Sequence, residues 1–228
     1  MSGWGQLSRV RHIVWDWNGT LLDDNHAVLA AVNQVCARYG RAPLTLGEWR
    51  AMFSRPLLAC YERLLGRSLT LDDWAEIDRT YHDAYRELLP TCRLAPGLPD
   101  LLYEWADTGG TQSLLSMWFH RELVPLVTEF GLLELFSRVD GLRVDVGGGS
   151  KAEHLVAHLA ALQLDPAEVV LIGDVVDDAE AARQAGAGCV LVTTGVMSPE
   201  ALKATGAPVV DSLAEAMALL RTGDDRAA

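Results

Sequence analysis

The chain has 228 residues, half of them hydrophobic and 22% charged, with 31 acidic against 19 basic residues and a formal net charge of −12. That is the composition of a packed chain, long enough for one large α/β domain or a core carrying an insertion. With no basic stripe to relieve the acidic excess, a phosphate backbone finds no clustered positive charge, which excludes nucleic acid as a partner.

No apolar run approaches the ~20 residues needed to span a bilayer, and the first ten residues lack the apolar core of a signal peptide. The expected setting is cytoplasmic, away from membranes. Cys36, Cys60, Cys92 and Cys189 are scattered without a C-x-x-C pair and read as reduced core thiols.

In chain order, residues 11–15 read as an apolar strand running into Asp16 and a Gly19-Thr20 turn. In an open parallel sheet the carboxyl end of a strand borders the ligand crevice, so Asp16 is placed for chemistry. Two residues on stands Asn18, which hydrogen-bonds but does not exchange a proton near neutral pH. From residue 24 to about 91 the pattern offers four helices and no convincing strand. Val28, Val32, Val35, Cys36 and Tyr39 recur at helical spacing, Thr45-x-x-Glu48 is a capping box, and Pro56 opens a helix that Gly66 ends. Leu71, Trp74, Ile77, Tyr81 and Tyr85 stripe the fourth helix. Its aromatics read most simply as the core of a small bundle that hangs over the crevice and closes on a ligand.

Beyond it, apolar runs at 111–115, 169–172 and 189–192 read as buried parallel strands. Between them, Pro96-Gly97 opens a helix to about Ala106, and Ser150 caps one that runs toward Leu162. The whole is an α/β fold with a doubly wound parallel sheet and an inserted helical unit. Residues 1–9 and 222–228 read as loose ends.

Four stretches gather polar groups at strand ends: Asp16-Trp-Asn-Gly-Thr20, Leu114-Leu-Ser116, Lys151 after Gly147-Gly-Gly-Ser150, and Ile172-Gly-Asp174-Val-Val-Asp-Asp178. In order and spacing they resemble the four motifs of the haloacid dehalogenase-like hydrolase superfamily, nearest its phosphoglycolate phosphatase-like branch, and the resemblance covers most of residues 11–195. It implies a Rossmann-like core from residues 1–22 and 92–228 and a C1-type helical cap from 23–91.

The activity it implies is a Mg²⁺-dependent phosphatase acting on a small phosphorylated metabolite, as a monomer or homodimer. Asp16 would be the nucleophile that forms an aspartyl-phosphate, and Mg²⁺ would sit on Asp16, Asp174 and the backbone carbonyl of Asn18. Ser116 and Lys151 would bind the phosphoryl oxygens, beside Asn18 and Gly19, with Asp178 and Thr20 supporting from behind. Such roles answer a physical need: carboxylate attack on a phosphoryl group requires its negative charge to be neutralised by a hard cation and a positive side chain. Only two of the 19 basic residues, Lys151 and Lys203, are lysines, and one falls where a compact point charge is wanted.

Other features read more plainly. Arg55, beside Pro56, is a candidate to reach substrate from the cap. Asp177 reads as a first-turn acid favoured by its helix dipole. The glycines before Lys151 do not make a nucleotide P-loop, since Ser150 intervenes. His154 and His158 lack the Glu of the zinc-protease motif and read as a solvated helix face.

At Asn18 the pattern departs from the family, whose phosphatases usually carry an Asp that protonates the leaving oxygen, a role typically worth ~10²–10⁴ in rate. Either turnover is slow or favours substrates whose leaving group needs little protonation, such as acyl phosphates or phosphoanhydrides, or another group or a water substitutes, or the chain is a phosphate-binding or regulatory protein with weak turnover. The insertion contains no lysine, which excludes a Schiff-base route. Asp174 and Asp178 argue against a metal-free dehalogenase.

Overall fold

Strand and helix alternate from Arg93 onward in the computed structural model, which describes residues 7–143 and 150–224. The first half runs β1 (His12–Trp15), β2 (Leu22–Asp23), α1 (Asn25–Arg38), α2 (Leu46–Met52), α3 (Leu57–Leu65), α4 (Leu71–Leu88), β3 (Arg93–Leu94) and α5 (Asp100–Asp107). There follow β4 (Thr111–Phe119), α6 (His120–Glu129), β5 (Val139–Leu142), α7 (Lys151–Leu162), β6 (Val169–Gly173), α8 (Val176–Ala185), β7 (Gly188–Val192), α9 (Pro199–Ala204), β8 (Val209–Val210) and α10 (Leu213–Asp224).

Six parallel strands form one sheet in the order β5-β4-β1-β6-β7-β8. Side chains alternate across it: Ile13, Trp15 and Ile172 pack with Leu102, Leu123 and Met217 of α5, α6 and α10, whereas Val14 and Leu171 pack with Leu155 and Ala182 of α7 and α8. Both faces being covered, the strands read as unbroken apolar runs. Each such buried side chain contributes about 1.5–3 kcal/mol to holding helix on sheet. Trp15 stands opposite Leu114 on one side and Ile172 on the other, so the residues that follow on three strands emerge at the same edge.

Several expectations are corrected. Ser116 does not end its strand: β4 continues to Phe119, with its register against β5 broken between Leu115 and Phe119, so Ser116 sits at an irregularity inside it. The helix expected to open at Pro96-Gly97 begins at Asp100, because Gly97 takes a left-handed turn (φ +89°). β5 and β8 went unread, the first because it holds Asp140 and Gly141 and is half-exposed, the second because it has two residues. Residues 7–9 form a 3₁₀ turn and α10 continues to Asp224, so the described parts of the two stretches expected to be loose ends are helical. Gly147–Gly149 and the outermost termini lie outside the described residues.

The insertion forms four helices. At its root β2 and β3 pair antiparallel, Leu22 opposite Leu94 and Asp23 opposite Arg93. The Thr45/Glu48 capping box forms, and Thr70 with Asp73 makes a second before α4. The helices have their own core, including Val32, Val35, Trp49, Tyr61 and Ile77. Leu71 does not join it: standing at the first position of α4, beyond the neighbouring helices, it is 87% exposed. All four cysteines are free and buried. His158 is not solvated: it is buried between Ser113 and Asp140, at 2.8 Å from each. No helix among the described residues is long and apolar enough to cross a membrane.

Candidate active site

The carboxyl edge of the sheet gathers four charged groups from three places in the chain. Asp16 follows β1 directly, its amide donating to the Ile172 carbonyl at 2.9 Å. Lys151 opens α7, which Ser150 caps through the Ala152 amide. Its ammonium bridges Asp16 and Asp178, and all three groups are buried. Asp178 also accepts from the Val175 amide at 3.1 Å, which fixes the carboxylate behind the lysine.

Asp174, just past β6, is pressed between two glycines. A Cβ on Gly195 would lie 1.6 Å from its carboxylate, and one on Gly19, itself at φ +72°, would lie at 2.6 Å. Thr20 reaches the other oxygen of Asp174 at 3.4 Å.

Burial is the main electrostatic fact here. It pushes the Asp16 carboxyl up to about 6, against the pull of Lys151, and raises Asp174 well above the carboxylate range with help from the Asp16 charge. Burial also works against the charge of Lys151, but Asp16 and Asp178 outweigh it and hold the ammonium protonated. Three carboxylates against one ammonium leave an excess of negative charge that a cation would relieve. Asp16, Asp174 and Asp178 can each offer an oxygen within 4.8 Å of the others, a hard-donor set that fits a small divalent ion.

Not every expected residue points the expected way. Ser116 accepts from the Trp118 amide at 3.0 Å, leaving its hydroxyl proton as the part that can meet an anion. The Gly19 amide is already committed to Asp24 Oδ1 at 2.9 Å. Arg55 lies against Asp177 at 3.4 Å, so the first-turn acid of α8 is also a cap contact.

The side chain of Asn18 is held by two residues that sequence reasoning missed. Its Nδ2 donates to Asp24 Oδ2 and to the Tyr85 hydroxyl, each at 2.8 Å, and Tyr85 in turn donates to Asp24 at 2.6 Å. Burial raises the Asp24 carboxyl, opposed by its bonds from Tyr85, Asn18 and Gly19. Asp24 reads in the sequence as one more acid, and Tyr85 as bundle core. Above these groups, between insertion and sheet edge, lies a cavity of about 1080 Å³ that takes in Asp16, Asn18, Ser116, Lys151 and Asp174.

A model of the haloacid dehalogenase-like hydrolase family matches residues 10–186. The chain belongs to that family. It is 27% identical over 202 residues to a phosphoglycolate phosphatase of Caulobacter vibrioides, covering 87% of this chain and 85% of the relative. A phosphoglycolate phosphatase of Synechococcus elongatus is 29% identical over 195 residues, covering 84% and 88%. Among solved structures, a predicted phosphatase from Clostridium acetobutylicum superposes with a TM-score of 0.80 at 19% identity, over 92% of this chain and 98% of that one, which shows a shared fold. As a haloacid dehalogenase-like hydrolase, the chain carries at its sheet edge a buried carboxylate with a lysine against it.

Proposed function

We propose that this chain is a Mg²⁺-dependent phosphatase of small phosphorylated metabolites, working through an aspartyl-phosphate at Asp16, with residues 23–91 as its cap. The observation that carries the reading is the buried ammonium of Lys151, which touches Asp16 and Asp178 at once with Asp174 beside them. Relatives named as phosphoglycolate phosphatases support the reaction class.

One Asp16 oxygen is tied to Lys151, leaving the other for attack on phosphorus in line with the departing oxygen. Lys151 and the Ser116 hydroxyl hold the phosphoryl oxygens as the P–O bond breaks, and Asp178 keeps the lysine in place. Bound by Asp16, Asp174 and the Asn18 carbonyl, with Thr20 behind Asp174, Mg²⁺ would neutralise charge on the transferring group. Water then cleaves the aspartyl-phosphate and restores the carboxylate. The cap, resting on Asp177 through Arg55, excludes bulk water.

A second reading, a phosphate-binding or regulatory protein with weak turnover, draws on Asn18, whose amide is no acid. Phosphate release from acyl, aryl and alkyl phosphates with Mg²⁺ separates the two. Release is expected to stop with a chelator and to fall at least ~10³-fold in Asp16→Asn. No release above background from any ester would favour the binding protein.

A further inference from the structure

Two separate features of the site bear on the same question, which is what leaves when phosphate is taken. At Asn18, both amide protons are spent on Asp24 and Tyr85. The side chain therefore has nothing to give a departing oxygen. An ester whose oxygen leaves without help meets no obstacle here, and a phenol is such a group: like tyrosine it ionises near pH ~10, whereas an alkyl alcohol holds its proton several units higher.

The cavity walls supply the second feature. At about 1080 Å³ it is just above the ~300–1,000 Å³ of small-molecule sites, far larger than a two-carbon acid needs. Phe53, Tyr61, Trp74, Tyr81, Tyr85 and Trp118 line it. Tyr81 and Tyr85 stack with 12° between their planes, Tyr85 meets Trp118 at 5.0 Å between centroids, and Tyr61 meets Trp74 at 5.9 Å.

Basic side chains here already face acids. Among the described lining residues, Arg55 faces Asp177 at 3.4 Å, His82 faces Asp78 at 3.3 Å, Arg183 faces Glu180, and Lys151 faces Asp16 and Asp178. A leaving group that carries its own carboxylate finds rings and no unmatched positive charge.

We infer that the substrate is an aryl phosphate, the phosphate monoester of a phenol-type hydroxyl, with its ring lodged among the cap aromatics. This deepens the phosphatase reading and rests on it. Asp16 forms a bond to phosphorus while the P–O(aryl) bond breaks, and the phenolate oxygen departs with that electron pair. Water then cleaves the acyl phosphate, and the proton it releases balances the one the phenolate takes from solvent. No oxidant or further reactant is needed.

The test compares kcat/KM, with Mg²⁺, for phenyl phosphate, benzyl phosphate, 2-phosphoglycolate and acetyl phosphate. Benzyl phosphate keeps the ring but loses an alkyl oxygen, phosphoglycolate has neither ring nor good leaving group, and acetyl phosphate has the leaving group alone. Phenyl phosphate is expected to exceed benzyl phosphate by at least ~10²-fold, the span of a missing proton donor, and to exceed phosphoglycolate by more. In Trp74→Ala, phenyl phosphate is expected to lose about tenfold more than acetyl phosphate, which reports the ring's binding independently of any loss of folded protein.

Benzyl phosphate or phosphoglycolate turned over as fast as phenyl phosphate, or equal losses in Trp74→Ala, would overturn the assignment. Asp16-dependent release from acetyl phosphate or phosphoglycolate without release from phenyl phosphate sinks the substrate class and leaves the phosphatase standing. No Asp16-dependent release from any of the four sinks both.

Discussion

Asn18 is an amide in a place that would not tolerate a second carboxylate without further change. Its Nδ2 supplies protons to Asp24 and to the Tyr85 hydroxyl. Asn18→Asp alone would set acceptor-only oxygens against the buried Asp24 carboxylate, so unfolding free energy in urea is expected to fall by about 1–3 kcal/mol. Asn18→Asp with Asp24→Asn reverses the polarity of the pair and should return most of that loss, since an asparagine oxygen at 24 still accepts from the Gly19 amide. A carboxyl at 18 can donate a proton, so in the double variant benzyl phosphate turnover should rise by ~10²–10⁴ and phenyl phosphate turnover by less. An undisturbed single variant, or equal gains on both esters, would sever the link between Asn18, its partners and the leaving group. The absence of an acid at 18 is legible in the sequence. Its partners are not, because Tyr85 lies 67 positions away and has the apolar spacing of a core residue.

Across β1, β4, β5 and α7 runs a chain of hydrogen bonds at the strands' amino ends, buried at His12, Ser113 and His158 and away from the edge that carries Asp16. Thr111 meets His12 at 2.7 Å, His12 meets Ser113 at 2.7 Å, Ser113 meets His158 at 2.8 Å, and His158 meets Asp140 at 2.8 Å. Donors and acceptors alternate along it when both imidazoles are neutral. Burial, and then the nearness of His158, lowers His12 from 6.5 to about 4, and burial lowers His158 as well. Between those limits the unfolded chain binds a proton at His12 that the folded chain refuses. The contribution is therefore whole above pH 6.5 and is lost as pH falls toward 4, by about 3 kcal/mol for His12. Asp16, Asp24 and Asp174, raised by burial, act in the opposite sense, so the measurement is the difference between wild type and His12→Gln in unfolding free energy from pH 7 to 4. Parallel curves for the two proteins would show that His12 is not neutral in the fold. His158 was misread from sequence because one polar residue on a helix gives no sign of which neighbours it meets. Asp16, Lys151 and Asp174 were readable because each stands where an apolar strand stops or a helix starts, and those boundaries are written locally.

The whole molecule is a sheet with a helical insertion resting on its edge through particular contacts. Arg50 donates to the Gly195 carbonyl at 2.9 Å and Asn25 to the Thr194 carbonyl at 2.6 Å, both on the segment that flanks Asp174. Arg86 of α4 makes two bonds to Glu122 of α6, each at 3.0 Å. The existence of the helical insertion is legible in the sequence from four helical stripes and their caps, but which faces look downward depends on these cross-contacts and cannot be read from periodicity. Around this assembly lies a field set by a net charge of −12, and the ester that must cross it is itself an anion. The Debye length is about 30 Å at 10 mM ionic strength and about 8 Å at 150 mM, so the repulsion reaches across the molecule in dilute buffer and fades at higher salt. Raising an inert monovalent salt over that range, with Mg²⁺ held saturating, is expected to raise kcat/KM for phenyl phosphate several-fold while leaving kcat unchanged, because only the work of bringing the anion in is screened. A fall in kcat/KM would mean that the cation-bearing floor around Lys151 attracts substrate from outside the cavity more strongly than the acidic surface repels it.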